Sequence, residues 1–237
     1  MWEEGGSSSS GGASSVKHSE LAKQEAIFNE LMQECRHSAP GARLSAKMRT
    51  ALERMSPRAR RALCSRKLDG CAPLFVACKR GNVEIVEYLV HVCAADLEQR
   101  GVYEVPDDRS VHSVTPLWCA AVAGRLEVLR VLADAGADLD AGSDSGSTPV
   151  RSACFMTHLD VVRFLVARGA DIHRPNHNGG TCLINSVQRV GGEVQLDVGA
   201  RVEAVEGGRA LVVEAAERPH HEHGAVRHPL AVHRLRC

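Results

Sequence analysis

The sequence predicts an all-α solenoid of about three and a half helix–turn–helix repeats behind an N-terminal helical extension, with one long hairpin inserted between the first two repeats. Three observations carry this. The anchors Pro73, Pro116, Pro149 and Cys182 stand 43, 33 and 33 residues apart, and a fixed period of that size marks stacked supersecondary units. Each anchor opens the same order of residues, as in "TPLWCAAVAGRLEVLRVLADAGADLD" (115–140) and again in "STPVRSACFMTHLDVVRFLVARGADIH" (147–173). With 44% hydrophobic residues over 237 positions, the chain also has enough apolar material for one or two ordinary domains.

Taken in order, residues 1–16 are Gly/Ser-rich and are expected to be disordered, because they bury too little surface to offset chain entropy. Residues 17–67 read as a helical extension. In "SELAKQEAIFNELMQEC" the residues Leu21, Phe28, Leu31, Met32 and Cys35 fall on one face, with Ser19 placed to cap the helix and Gln24 and Glu25 interrupting the stripe. Leu44, Met48, Leu52 and Met55 continue the pattern, and Ser56 before Pro57 starts another helix. Between Arg43 and Lys67 nine Lys/Arg face one acid, Glu53. Such a run serves as a solvated helix face, a nuclear-import signal or an RNA contact, and the sequence leaves these open.

Residues 68–188 hold the repeats, at about 68–100, 113–145 and 146–178, with a partial unit at 179–188. Thr115 and Thr148 are placed to cap helices that Pro116 and Pro149 begin, since proline lacks the N–H that the first helical position leaves unpaired anyway. Small residues follow, Ala120 and Ala121 in one unit and Ala153 and Cys154 in the next, which lets two helices approach closely. Gly81 and Gly124 supply the left-handed turn that ends each first helix. Second helices follow in "NVEIVEYLV", "RLEVLRVLA" and "HLDVVRFLV", and "GAD" closes the second and third units.

The order T-P-L, x-A-A, G, V-x-x-L and G-A-D resembles ankyrin repeats, so the expected fold is an ankyrin-repeat solenoid. The stretches "PLFVACKRGNVEIVEYLV", "EQRGVYEVPDDRSVHSVTPLWCAA" and "GSTPVRSACF" are similar to the opening repeats of the Fem-1 family. That resemblance implies a protein-interaction module whose ankyrin groove captures C-terminal degradation signals, often ending in arginine, for a cullin-2 ubiquitin ligase. The implied partners are client protein C-termini, with elongin B/C and cullin-2 in a longer form, because the family's cullin-binding segment lies beyond the length of this chain. The alternative is a generic ankyrin scaffold with no ubiquitin role.

The insertion "RGVYEVPDDRSVH" carries Asp107 and Asp108, of which Asp107 stands by position where the resemblance places an acid against a terminal arginine. On their own chemistry they read equally as a solvated tip. Trp118, Ser147 and Phe155 complete the candidate peptide-binding set, the last two falling on family positions that line the pocket. A guanidinium is matched by carboxylates, and the terminal carboxylate of the same peptide needs donors of its own. One departure alters that set: the family reads "CFDGH" where this chain reads "CFMTH", so Met156 replaces an acid and Thr157 a turn glycine.

Residues 189–237 lack the repeat grammar and, from Arg189 on, contain no Lys, Ile, Phe, Ser, Thr, Asn, Met or Tyr. They are expected to be a poorly ordered tail or a weak hairpin around "EGG". Five histidines there, His220, His221, His223, His228 and His233, have no regular metal-ligand spacing, so no metal and no cofactor is expected. No P-loop, GxGxxG after a strand, HExxH or GxSxG is present, which argues against an enzyme. Equal counts of Lys+Arg and Asp+Glu, 29 each, give no global field toward nucleic acid or an acidic membrane. Without a signal-peptide pattern or an apolar run of bilayer length, a cytoplasmic chain is expected, with nuclear entry if the basic run is an import signal. Nine cysteines without a CxxC pair read as reduced core thiols.

Overall fold

The computed structural model describes residues 11–39, 41–105 and 109–182, together with the backbone of three strands further on. The first helix, α1 (Gly11–His37), buries Phe28, Leu31, Met32 and Cys35. Two expectations change here. Residues 11–16 and Ser19 lie within α1, so Ser19 is an interior residue and not its cap. Once the packed C-terminal turns have paid the cost of nucleation, adding residues at the other end is close to neutral. Leu21 is 64% exposed; Gln24 and Glu25 interrupt the stripe, and the buried face begins only at Phe28.

Two short helices follow, α2 (Ala46–Glu53) and α3 (Pro57–Cys64), capped by Ser45 and Ser56, whose side chains accept from the Met48 and Ala59 amides. Leu44, Met48 and Leu52 are buried in the same core as α1. Part of the basic run is tied to acids: Arg43 pairs with Glu84, Lys47 with Glu30 and Arg66 with Glu25. These pairs are largely solvent-exposed, so water screens them and they add little to stability.

Each repeat is then a pair of antiparallel helices: α4 (Pro73–Arg80) with α5 (Val83–His91), α6 (Pro116–Val122) with α7 (Leu126–Asp134), and α8 (Pro149–Phe155) with α9 (Leu159–Ala167). First helices stack in one row, α1 on α4, α4 on α6, α6 on α8, and second helices in another, α5 on α7 and α7 on α9. The small residues are what make the first row tight. Ala77, Cys78, Ala120, Ala121 and Ala153 are wholly or almost wholly buried between neighbours, so each unit covers the apolar flank of the next. Burial pushes the Cys35 thiol up to about 12 and raises those of Cys78 and Cys119, which leaves all three as inert packing groups at neutral pH.

Local chemistry fixes the ends of these helices. Thr115 and Thr148 accept from the Trp118 and Arg151 amides, while Ala72 takes the same place before α4 with no side-chain bond. The closing aspartates have a double use. Asp96, Asp138 and Asp171 each accept from the amide two residues on, at 3.0, 2.9 and 2.9 Å. Those next residues then bind the following unit: Glu98 accepts from the Asp138 amide and Asp140 from the Asp171 amide, both at 2.9 Å. A ladder of carboxylates thus ties one repeat to the next along the turn side.

The turn between paired helices is left-handed in all three units, with φ of 78° at Gly81, 65° at Gly124 and 60° at Thr157. Glycine adopts this freely, but a β-branched residue does not. Thr157 is exposed, so its side chain gains no packing from burial. Thr157→Gly should therefore stabilise the chain by about 1 kcal/mol, the relief of strain outweighing the extra freedom of glycine when unfolded. A rise in urea midpoint with an unchanged m-value would register it; a fall would show that the threonine contributes more than its backbone costs.

Between α5 and α6 the inserted segment forms a two-stranded antiparallel hairpin, β1 (Gly101–Glu104) and β2 (Val111–Val114), in the register Gly101↔Val114 to Glu104↔Val111. Further on, β3 (Val194–Asp197), β4 (Arg201–Glu206) and β5 (Arg209–Glu214) pair antiparallel in the order β3-β4-β5. The Glu206↔Arg209 pair brackets the glycines of "EGG".

Candidate functional site: a pocket between the hairpin and two repeats

A second, smaller apolar cluster lies under the hairpin and is distinct from the main core. It consists of Phe75, Tyr103, Val114, Trp118, Cys119 and Val122, with Val105 and Met156 packed against it. Strand alternation makes this possible. Gly101 and Tyr103 are buried while Val102 and Glu104 are exposed, as expected of a strand with one face covered. Gly101 is where the hairpin touches the helices: a Cβ built there would lie 2.5 Å from the Phe75 ring. Tyr103 meets Trp118 edge-on, with ring centroids 5.5 Å apart and planes at 71°, the arrangement aromatic quadrupoles favour. The Lys79 ammonium sits 4.8 Å from the Tyr103 centroid.

The hairpin is also tied forward to the next turn. Arg100 donates to the Ser113 and Gly142 carbonyls, each at 2.8 Å. His112 Nδ1 lies 2.9 Å from Asp144 Oδ1, and the Ser113 amide donates to the other carboxylate oxygen at 3.2 Å. Burial opposes ionisation of Asp144, but the His112 and Ser113 hydrogen bonds outweigh it and hold the carboxyl below its ordinary value. A depressed carboxyl stabilises above its unfolded pKa of about 3.9 and loses that contribution as pH falls through its folded value. The link between hairpin and turn should therefore hold across neutral pH and release only in acid. A carboxyl titration followed by NMR would check this; an Asp144 midpoint at or above that of a free aspartate would contradict it.

Between the hairpin, α6 and α8 lies a cleft of about 270 Å³. Trp118, Ser147 and Phe155 all line it. Trp118 is 4% exposed and forms part of the wall, with its indole N–H donating to the Ser147 carbonyl at 2.8 Å. Ser147 is buried, and its hydroxyl lies 2.9 Å from both Ser152 Oγ and Arg151 Nη1. Phe155 is 40% exposed at the mouth. Asp107 and Asp108 lie outside the described residues, as do the tail histidines.

Several lining residues were not anticipated from the sequence: Arg151, His112, Ser143, Ser145 and Ser152. A signal for Arg151 was present. Counting by the repeat spacings, Phe75, Trp118 and Arg151 hold the same place two residues after their anchor prolines, so all three face the same side of successive units. The third rung exchanges an aromatic ring for a cation. Met156 likewise extends the apolar wall through its contact with the Trp118 cluster. Among the described residues no group of His, Cys, Asp and Glu is arranged to hold a metal, and no helix is long and apolar enough to cross a membrane.

Stacked helix pairs with turns projecting along one edge define a class, and the family described as Ankyrin repeats (3 copies) matches residues 22–141 and 102–176. This chain belongs to the ankyrin-repeat family, whose members are interaction modules and not catalysts. The match begins inside α1, within the segment read from sequence as an extension before the repeats. Within that class the chain is similar to Fem-1 proteins. It is 38% identical over 86 residues to a Protein fem-1 homolog of Drosophila melanogaster, covering 36% of this chain and 13% of that protein. To the Sex-determining protein fem-1 of Caenorhabditis elegans it is 38% identical over 117 residues, covering 49% of this chain and 18% of that protein. The similarity thus spans less than a fifth of either relative.

Proposed function

We propose that this chain is the substrate-capturing part of a Fem-1-like receptor, which binds protein C-termini in the cleft between hairpin and repeats and serves a cullin-2 ubiquitin ligase. The observation that supports this reading most is the meeting of Trp118, Ser147 and Phe155 in one cleft, although they stand up to 37 residues apart (155 − 118) in the chain. A cleft closed by an inserted hairpin accommodates the end of a chain more readily than a continuous segment. Work of this kind belongs in the cytoplasm, or in the nucleus if the Arg43–Lys67 run acts as an import signal.

Two measurements test the two halves. Capture of C-terminal peptides by the purified chain, abolished by amidating their ends, supports the receptor half. Co-purification with elongin B/C and cullin-2 supports the ligase half. Capture without ligase components would favour the generic ankyrin scaffold, and absence of both would remove the receptor reading.

A further inference from the structure

We propose that Cys64 and Cys93 form a peroxide-oxidisable dithiol, and that their disulfide clamps α3 onto the turn after α5. The two thiols come from different elements and meet in the core. Cys64 is the last residue of α3, and Cys93 follows the residue that caps α5. Each is 1% exposed, and both carry free thiols that hydrogen-bond to each other. The same two segments are tied a second time, where the Gln99 side-chain amide donates to the Ser65 carbonyl at 2.6 Å. The repeat pattern marks Cys93 as a departure. The stretch "CAAD" (93–96) stands where the next units read "AGAD" (135–138) and "RGAD" (168–171). Ala135 is half-buried and Arg168 exposed, whereas at Cys93 the end of α3 covers the equivalent place. Both sulfurs thus sit at element ends, where small backbone shifts can bring them from hydrogen-bond contact to bonding distance.

The pair is asymmetric. The Cys64 hydrogen bond, and after it the Arg60 charge, hold the Cys93 thiol below its ordinary value against the opposing effect of burial, while the same hydrogen bond and burial push Cys64 up. Among the described residues the buried Arg60 Nε has no hydrogen-bond partner, so a cation with an unspent donor lies where its charge bears on both sulfurs. Cys93 is therefore the attacking thiolate and Cys64 the resolving thiol. Access comes from α3 itself. Of its eight residues Leu63 and Cys64 are the buried ones, so it opens at less cost than the helices of the repeats. The opened Cys93 thiolate attacks hydrogen peroxide: an S–O bond forms, the O–O bond breaks, and the departing hydroxide takes up the proton that the thiol released, as water. As α3 closes, the Cys64 sulfur attacks the sulfenic sulfur, and its proton leaves with the hydroxyl as a second water. The two thiols together lose two electrons, and one peroxide becomes two waters.

The experiment uses the full native chain, treated with stepwise hydrogen peroxide, alkylated on denaturation and digested without reductant. Mass spectrometry should find the Cys64 peptide joined to the Cys93 peptide, about 2 Da below the sum of the two free peptides, and dithiothreitol should release it. The link should form before the partly exposed Cys71 is oxidised to a comparable extent. Hydrogen exchange in α3 should slow by about tenfold or more in the oxidised chain. Cys64→Ser should leave a dimedone-reactive sulfenic acid at Cys93, while Cys93→Ser should leave Cys64 unoxidised, an asymmetry that two packing thiols would not show. Thermal melts establish that both variants fold, and the linkage in the native chain is read without them. Cys64 and Cys93 still alkylated as free thiols once Cys71 is oxidised would overturn the proposal. So would a link from either to Cys35, or one formed solely between Cys154 and Cys182, which make another thiol contact. A Cys64–Cys93 link that leaves exchange in α3 unchanged would overturn the clamp.

Discussion

Trp118→Ala should destabilise the protein by about 3–5 kcal/mol, the range for deleting a buried aromatic ring. Three interactions end together. The ring leaves the cluster beneath the hairpin, Tyr103 loses its edge-on partner, and the buried Ser147 carbonyl loses the indole N–H that donated to it at 2.8 Å. The last of these can be isolated, because Trp118→Phe keeps most of the packing and removes only the indole donor, while the Ser147 carbonyl keeps the Ser143 amide at 2.9 Å, for a smaller loss of about 0.5–1.5 kcal/mol. Urea unfolding followed by far-UV circular dichroism measures both. In a repeat array each unit contacts only its neighbours, so hydrogen exchange should show the loss concentrated in α6, α8 and the hairpin, with α2 and α3 little changed. A cost under about 1 kcal/mol for Trp118→Ala, typical of an exposed side chain, would mean that the hairpin is held mainly by its own strand pairing.

Much of the fold was legible because its signals are local. The caps at Ser56, Thr115 and Thr148 and the left-handed turns at Gly81 and Gly124 each depend on a residue and its near neighbours, and all are where the sequence put them. The start of α1 was not legible, since helix propagation through Gly11 to Ser19 follows from what its distant end packs against and from no motif of its own. The site divides in the same way. Trp118, Ser147 and Phe155 could be named from their places in the repeat and from resemblance, but the His112–Asp144 link joins residues 32 positions apart through hairpin register. Register of that kind depends on the turn between strands, which side-chain pattern alone does not determine. Arg151 was missed for a different reason. Its repeat equivalents are Phe75 and Trp118, so the repeat pattern gives the position no role of its own, whereas the physical content lies in the exchange of an apolar ring for a charge.

Gly101→Ala should displace the hairpin and, with it, the cleft. A methyl group at this position would sit 2.5 Å from the Phe75 ring, and Phe75 is itself only 1% exposed and has little room to retreat. Forcing an atom into a packed core typically costs about 1–3 kcal/mol. Backbone strain at residue 101 is not the cause, since alanine is at ease in an extended strand, so the penalty should belong to the contact with Phe75 alone. A double-mutant cycle examines that attribution. Phe75→Leu by itself leaves a cavity and destabilises, but it also makes room for the new methyl, so Gly101→Ala added to Phe75→Leu should cost at least about 1 kcal/mol less than when added to the native chain. Binding should follow the same pattern, because the hairpin contributes Val105, Ser110 and His112 to the lining of the cleft. Peptide affinity should fall in Gly101→Ala and recover in part in the double variant. Strictly additive stabilities would place the strain elsewhere, and unchanged affinity in Gly101→Ala would show that the hairpin does not shape the ligand site.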